Sequence, residues 1–411
     1  MRVQCSEAFR SSYTQSRRPS KARRMKILLY THAFAPKVGG QETIVMILAQ
    51  RLAKSALPSS LEPVELVLTT PTPPNGMDDA ALPFRVVRQP NLATLFSLMR
   101  EADVVHLAGP AILPLIVGLT LRKPVVVEHH GFQTVCPNGQ LLYELAKAPC
   151  PGHFMAGHYG KCIGCNAEQG YLRSVKMCLL TFPRRWLCQH VSANILPSEW
   201  LRVLLQLNRM KTIVHGIPSL EAAPARRVVP RLPTFAFLGR LVSTKGLHVL
   251  LEAAQLLNAK GFAFRVKIIG LGPDREALER LVEDLRIQHC VQFLGSVRQE
   301  ELQECLADAA AVVMPSLAGE VFGLVAVENM QQRRLVIVSN IGALAEIVGD
   351  AGLKFMPGDV VGLARCMEDV IANPTLVEGL GKKASYRVAQ AFADDQMAKE
   401  HLRLYEELCS R

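Results

Sequence analysis

The sequence predicts an α/β fold, with parallel sheets distributed over two domains. Three observations predict it. Short apolar runs such as KILLY and PVVVE alternate with helical stretches of about 10–15 residues, the pattern of parallel α/β sheets. The chain has 411 residues, enough for two or three domains. Its apolar fraction of 49% is ample for real cores. No apolar run reaches the roughly 18 residues of a membrane span. The longest candidate, Ala111 to Thr120, is interrupted by Pro114 and bounded by Arg122 and Lys123, so it reads as a buried helix.

The net charge of +11 is partly a tail effect. Residues 1–24 carry seven Lys/Arg against Glu7 alone, a net of +6, which leaves +5 for the remaining chain. That tail has no apolar core of a secretory signal. It reads as a disordered basic extension, or as the product of a start upstream of a natural Met25. Aromatic residues make up 6% of the chain, and no basic, aromatic-bearing patch stands out in the folded part, so nucleic acid is not an expected partner.

After the strand KILLY comes PKVGGQE, from Pro36 to Glu42, and then a helical pattern ending near Ala53. Gly39 and Gly40 let the backbone approach a ligand where a side chain would clash. The strand PVVVE runs into His129 and His130 at its C-terminal end, where open α/β sheets place their ligands. His106, in DVVHLAG, closes another strand and reads as cleft lining. The bland alternative for these histidines is strand capping.

Six of the eleven cysteines fall between Cys136 and Cys188. Four of them, Cys136, Cys150, Cys162 and Cys165, are spaced C-x13-C-x11-C-x2-C, and GKCIGC has the form of a metal knuckle. Structural zinc is the leading reading. An iron–sulfur cluster, a disulfide and no ligation stay open, although a cytoplasmic location disfavours disulfides. The segment Tyr171 to Val191 mixes apolar residues with Arg173, Lys176, Arg184, Arg185 and Trp186. It fits either peripheral contact with an anionic membrane surface or, slightly ahead, a packed helix ending at Pro183 with its cations solvated.

The Pro/Ala-rich stretch HGIPSLEAAPARRVVPRLP, 215–233, reads as a linker between domains 25–214 and 234–383. In the second domain, GRLVSTKG follows the strand TFAFL, and Gly246 opens a helix. Arg240 and Lys245 can there neutralise a diphosphate, one as a fork and one as a point charge. VKIIGLGP and VQFLG read as short strands with tight exits. In MPSLAGEVFGLVAVENM, Glu320 and Glu328 lie eight residues apart around a helix beginning near Gly323. The amides of Phe322, Gly323 and Leu324 form an anion-attracting helix N-terminus, and the two carboxylates can hold hydroxyls. That combination suits a nucleotide sugar. The plain alternative is an ordinary loop and helix with solvated glutamates.

Taken together, PKVGGQE, HHG, PSEWL, GRLVSTKG, IIGLGP, FLG, the E-x7-E segment and SNIGALAEIV resemble the family 4 retaining glycosyltransferases, from Met25 to about Leu408. The subset concerned carries a cysteine-rich insertion in the N-terminal domain, here 132–170. The resemblance implies the GT-B fold: two Rossmann-like domains facing across a cleft, with a C-terminal helix, 384–411, crossing back to the N-terminal domain. It also implies sugar transfer from a nucleotide sugar to a sugar or lipid-linked acceptor, with retained anomeric configuration, in polysaccharide or glycolipid assembly. His130, Glu320, Arg240 and Lys245 take the catalytic positions, with His129 as the fallback for His130. Gly39, Gly40, Gly272, Leu294, Phe322, Gly323, Leu324 and Glu328 take the donor-binding ones. No Asp-x-Asp pair is present, so catalysis needs no metal cofactor, and the enzyme is expected in the cytoplasm or on the inner face of the membrane. Three departures stand out: His215-Gly216-Ile217-Pro218 in place of Asn-Gly-Ile-Asp, Glu328-Asn329-Met330 in place of Glu-Ala-Met, and Arg333-Arg334-Leu335 in place of Gly-x-Pro. Rival readings are an epimerase on the same fold, or a scaffold that binds sugar nucleotide or metal without catalysis. A dinucleotide-dependent oxidoreductase is weaker, because Gly270-Leu271-Gly272-Pro273 lacks the third glycine of that fingerprint.

Overall fold

The computed structural model describes residues 24–57, 59, 63–220 and 232–410. The basic extension therefore lies outside the described residues save Arg24, as does 221–231 of the linker.

The N-terminal domain contributes strands β1 (Lys26–Thr31), β2 (Glu65–Thr70), β3 (Arg85–Arg88), β4 (Val104–Ala108) and β5 (Val125–Glu128). A short antiparallel hairpin, β6 (Leu142–Tyr143) and β7 (Ala148–Pro149), belongs to the cysteine-bearing insertion. Strands β8 (Ala193–Leu196) and β9 (Met210–Thr212) complete the domain's sheet, a parallel one in the order β3-β2-β1-β4-β5-β8-β9. The C-terminal domain holds β10 (Thr234–Leu238), β11 (Arg265–Ile269), β12 (Val291–Gly295), β13 (Ala309–Met314), β14 (Leu335–Ser339) and β15 (Leu353–Phe355). They form a second parallel sheet in the order β12-β11-β10-β13-β14-β15. Helices cover both faces, so central strands such as VVHLA and AAAVVM are buried along their whole length. In each sheet the winding reverses beside the first strand, between β1 and β4 and between β10 and β13. Ligands of open α/β sheets bind at such switch points. The two switch points face one cleft, as the GT-B expectation requires.

The chain crosses between domains twice, and the two crossings are bonded to each other. Ile217 N–H donates to Phe392 O at 2.9 Å, and Asp394 N–H donates to Ile217 O at 3.3 Å. The second crossing falls later than the expected start at residue 384. Helix Pro374–Ala391 stays on the C-terminal domain, burying Ala384 and Val388 in its core. The chain breaks at Phe392 and Ala393, and helix Asp394–Cys409 then packs on the N-terminal domain, burying Met397, Leu402 and Tyr405. Arg51 of the N-terminal domain binds Asp394 at 2.5 Å, fixing the start of this helix.

Two helix readings need correction. Helix Ile112–Thr120 buries Leu115 and Val117 but leaves Leu113 and Ile116 exposed, so it is buried on one side only. Pro183 does not end its helix, which continues from Tyr171 to His190. An interior proline removes one backbone bond. Here the face bearing Ser174, Cys178, Thr181, Leu187 and Cys188 is buried and carries the helix through it. Nor are all its cations merely solvated. Arg184 donates to Pro110 O and Gln133 O, and Arg185 to Leu205 O and Gln206 O. Among the described residues, no helix is long and apolar enough to cross a membrane.

Candidate active site between the two domains

The cleft between the switch points has a volume of about 730 Å³. From the N-terminal domain it is lined by the Gly39-Gly40 turn and by the strand-end segment His130-Gly131-Phe132. Gly39 caps helix Gly40–Lys54, and Gln41 holds this turn across the switch point by donating to Ala108 O at 2.9 Å. From the C-terminal domain come Arg240, Lys245, Glu320, Phe322, Gly323, Leu324 and Glu328.

Helix Leu324–Gln331 opens on Gly323, whose φ of +96° suits a residue without a Cβ. A Cβ there would also lie 2.5 Å from Leu344 Cδ2. Phe322 to Val325 line the cleft, and the amides of such a helix start attract anions. Glu328 sits in the second turn, half-buried, and burial pushes its carboxyl up to about 7. Glu320 accepts from Lys245 Nζ at 2.6 Å and from Ser316 Oγ at 2.8 Å. Burial pushes the Glu320 carboxyl up, yet Lys245 and Ser316 together hold it below its ordinary value. Arg240 is exposed at the cleft wall.

The structure separates the adjacent histidines. His129 is buried in the core, bonded to Asn194 Oδ1 at 2.9 Å, and burial pushes it down to about 4 despite that bond. His130 lines the cleft. It stacks on His215 with ring centroids 5.1 Å apart, and its Nε2 lies 3.5 Å from Glu128 Oε2 without a hydrogen bond closing on it.

Glu128 is the residue sequence reasoning missed. Fully buried, it accepts from His106 Nε2 at 3.1 Å and from His215 Nε2 at 2.9 Å, with His401 Nε2 at 3.9 Å. Burial pushes its carboxyl up, but His130 and the bonds from His106 and His215 hold it well below the usual range. His106 is thus turned toward Glu128, with its other nitrogen 2.5 Å from Tyr405 OH, and does not line the cleft. The departure at His215 now has a physical account, since its imidazole bridges Glu128 and the edge of Phe322. The only sequence signal was a glutamate directly before His129-His130 and a histidine at the domain crossing.

Two expected donor-site residues are displaced. Gly272 does not line the cleft; a Cβ there would come 2.1 Å from Leu241 O, so the glycine serves close packing of two strand exits. Leu294 packs on the domain core, while Gly270, Leu271 and Ser296 face the cleft instead.

Cys136, Cys150, Cys162 and Cys165 share the insertion lobe, where Glu144 N–H donates to Cys165 Sγ at 3.3 Å. Among the described residues, the sets of three metal-capable side chains with ligand atoms within 4.8 Å of one another are His106–Glu128–His401 and Glu128–His130–His215. No three of the described cysteines form such a set, so holding one ion requires their thiols to move closer together. The lobe also bridges the domains: Leu142 is buried in the C-terminal core, and Ser243 Oγ lies 3.3 Å from Glu144 Oε1.

Residues 223–387 match the family described as Glycosyl transferases group 1. The matched stretch covers the C-terminal domain, which is thus similar to the group 1 glycosyltransferases. A 172-residue stretch of the chain is 32% identical to an uncharacterized glycosyltransferase of Methanocaldococcus jannaschii, over 41% of this chain and 44% of that one. The chain thus spans less than half the length of this curated relative. Sucrose-phosphate synthase from Thermosynechococcus elongatus superposes with a TM-score of 0.67 at 21% identity, over 94% of this chain and all of that one. Anabaena HepE, solved with UDP-glucose, gives 0.67 at 17% identity, over 94% of this chain and 100% of that one. Both likenesses show that the two domains together have the GT-B fold.

Proposed function

We propose that the protein is a retaining glycosyltransferase, moving a sugar from a nucleoside-diphosphate sugar to an acceptor hydroxyl in polysaccharide or glycolipid assembly. One observation carries this reading. A single cleft brings Arg240, Lys245 and the Gly323 helix terminus to face His130 and the Gly39-Gly40 turn, with Glu320 and Glu328 flanking them. Departure of a nucleoside diphosphate builds negative charge beside a cationic, oxocarbenium-like sugar. Arg240, Lys245 and the helix amides stabilise the departing diphosphate, so no divalent cation is needed there. Glu328 holds the ribose hydroxyls and Glu320 the sugar hydroxyls, while His130 stands near the reacting carbon. The neighbour solved with UDP-glucose supports a uridine diphosphate sugar as the first donor to try.

The test is a panel of nucleoside-diphosphate sugars against the purified chain, read by thermal shift and then by transfer with product anomer assigned by NMR. A donor that binds raises the melting temperature by mass action. Absence of a shift with every donor and every free nucleoside diphosphate would overturn the reading. A cytoplasmic site of action, facing sugar or lipid-linked acceptors, follows from the same proposal.

We further propose that the four insertion cysteines close on one structural zinc. Four thiols with a backbone N–H already directed at one sulfur form a suitable donor set. Elemental analysis of protein purified under reducing conditions should find about one zinc per chain. Cys162→Ser should lose it. Protein free of zinc and iron would sink the idea.

A further inference from the structure

Three neighbouring helices cover one face of the N-terminal sheet: Leu92–Glu101, Ile112–Thr120 and Tyr171–His190. Each buries one side and turns large apolar residues outward. On the longest, Leu172, Leu179 and Trp186 lie seven residues apart and so share one face; they are 83%, 62% and 62% exposed. They form a stripe about 21 Å long. Leu113 and Ile116 are exposed on the second helix, and Leu92 and Phe96 on the third. An apolar surface spread over three helices marks a contact site rather than scattered exposed residues.

The charge around this face selects the partner. Helix Tyr171–His190 contains no Asp or Glu, and helix Ile112–Thr120 contains no charged residue. Arg100, Arg122, Arg173 and Lys176 are exposed on these helices or directly after them, against Glu101. Apolar residues that insert and cations that stay at the headgroups are what an anionic bilayer surface accepts. The face also communicates with the cleft. Arg184, on the inner side of the same long helix, donates to Gln133 O at 3.4 Å, directly after the cleft-lining segment His130-Gly131-Phe132.

We propose that this three-helix face docks the protein on an anionic lipid surface and so presents the cleft to lipid-borne acceptors. The acceptor clause rests on the transferase reading; the docking does not. The experiment is co-sedimentation of the full chain with phosphatidylglycerol-containing and pure phosphatidylcholine vesicles. We expect binding that needs the anionic lipid and weakens as salt rises. Residues 1–24, with a net charge of +6, could also attract anionic vesicles, so the deciding variant carries Leu172→Ser, Leu179→Ser and Trp186→Ser. These exposed positions leave the fold intact, checked by circular dichroism. The bound fraction should fall at least about tenfold, because apolar insertion is lost. Undiminished binding of the variant, or no sedimentation of the parent chain at low salt, overturns the proposal. So does a solution dimer that the triple variant converts to monomer, since a second copy would then cover the face. Sedimentation reads no sugar transfer, so failure of the transferase reading leaves this result unaffected.

Discussion

Glu328 illustrates how burial sets the chemistry of a single side chain. Its folded value near 7 lies above the ordinary 4.5, so between those values only the folded protein holds the proton. Its contribution to stability is therefore full below pH 4.5 and is lost as pH rises through about 7. In the proposed donor-binding role the dependence runs the other way, because ribose hydroxyls donate best to an ionised carboxylate. Donor Kd should fall as pH rises toward 7, by at most about tenfold per pH unit, and level off above it. Titration calorimetry across that range checks this. Glu328→Ala should weaken donor at least about tenfold and flatten the profile, since hydrogen bonds to a charged group are lost. Lys245 and Arg240 make a second case. Alanine at either should cut turnover roughly 10²–10³-fold, as for loss of one preorganised transition-state donor. Activity should survive excess chelator, and an assay in which chelation stops a still-folded enzyme would refute the cationic account.

Helix Leu324–Gln331 has only eight residues and gains its position from its start. Gly323 holds the left-handed backbone at the cleft-lining start of this helix. Gly323→Ala would strain that φ and press a methyl on Leu344, at a cost of about 1–3 kcal/mol. Urea denaturation should register the loss, and donor Kd should rise with it. A variant of unchanged stability and affinity would show that the helix start does not bind the diphosphate. The strands around this helix were legible because burial on both faces leaves uninterrupted apolar runs. The end of helix Tyr171–His190 was not, because proline is a local stop signal and the buried face that overrides it is tertiary.

At the scale of the molecule, Glu128 ties the parts together. Its partners come from β4, from the first domain crossing at His215, and from the final helix at His401. The docked domains are also held where Glu346 accepts from the amides of Glu199 and Trp200, both at 3.1 Å. His215→Ala removes a hydrogen bond to a buried charge and should cost about 1.5–3 kcal/mol. Because His215 also stacks on His130, transfer should slow by more than the loss of folded protein explains. Denaturation and single-turnover rates on the same sample separate the two effects.

From the sequence alone came the α/β class, the two domains, and the charged residues that one loop or helix end presents by itself: Arg240, Lys245, Glu320 and Glu328. Such groups announce themselves through local spacing, because a strand exit or helix start fixes where they point. The family resemblance already favoured His130 over His129; the fold supplies the physical reason, since adjacent residues at a strand end face opposite ways and here His130 lines the cleft while His129 is buried. Gly272 and Leu294 sit in matching motifs, yet close backbone approach and core packing turn them from the site. Glu128 required the fold most of all. Its histidines lie 22, 87 and 273 positions away, and no local pattern records that a buried carboxylate must gather its donors from across the chain.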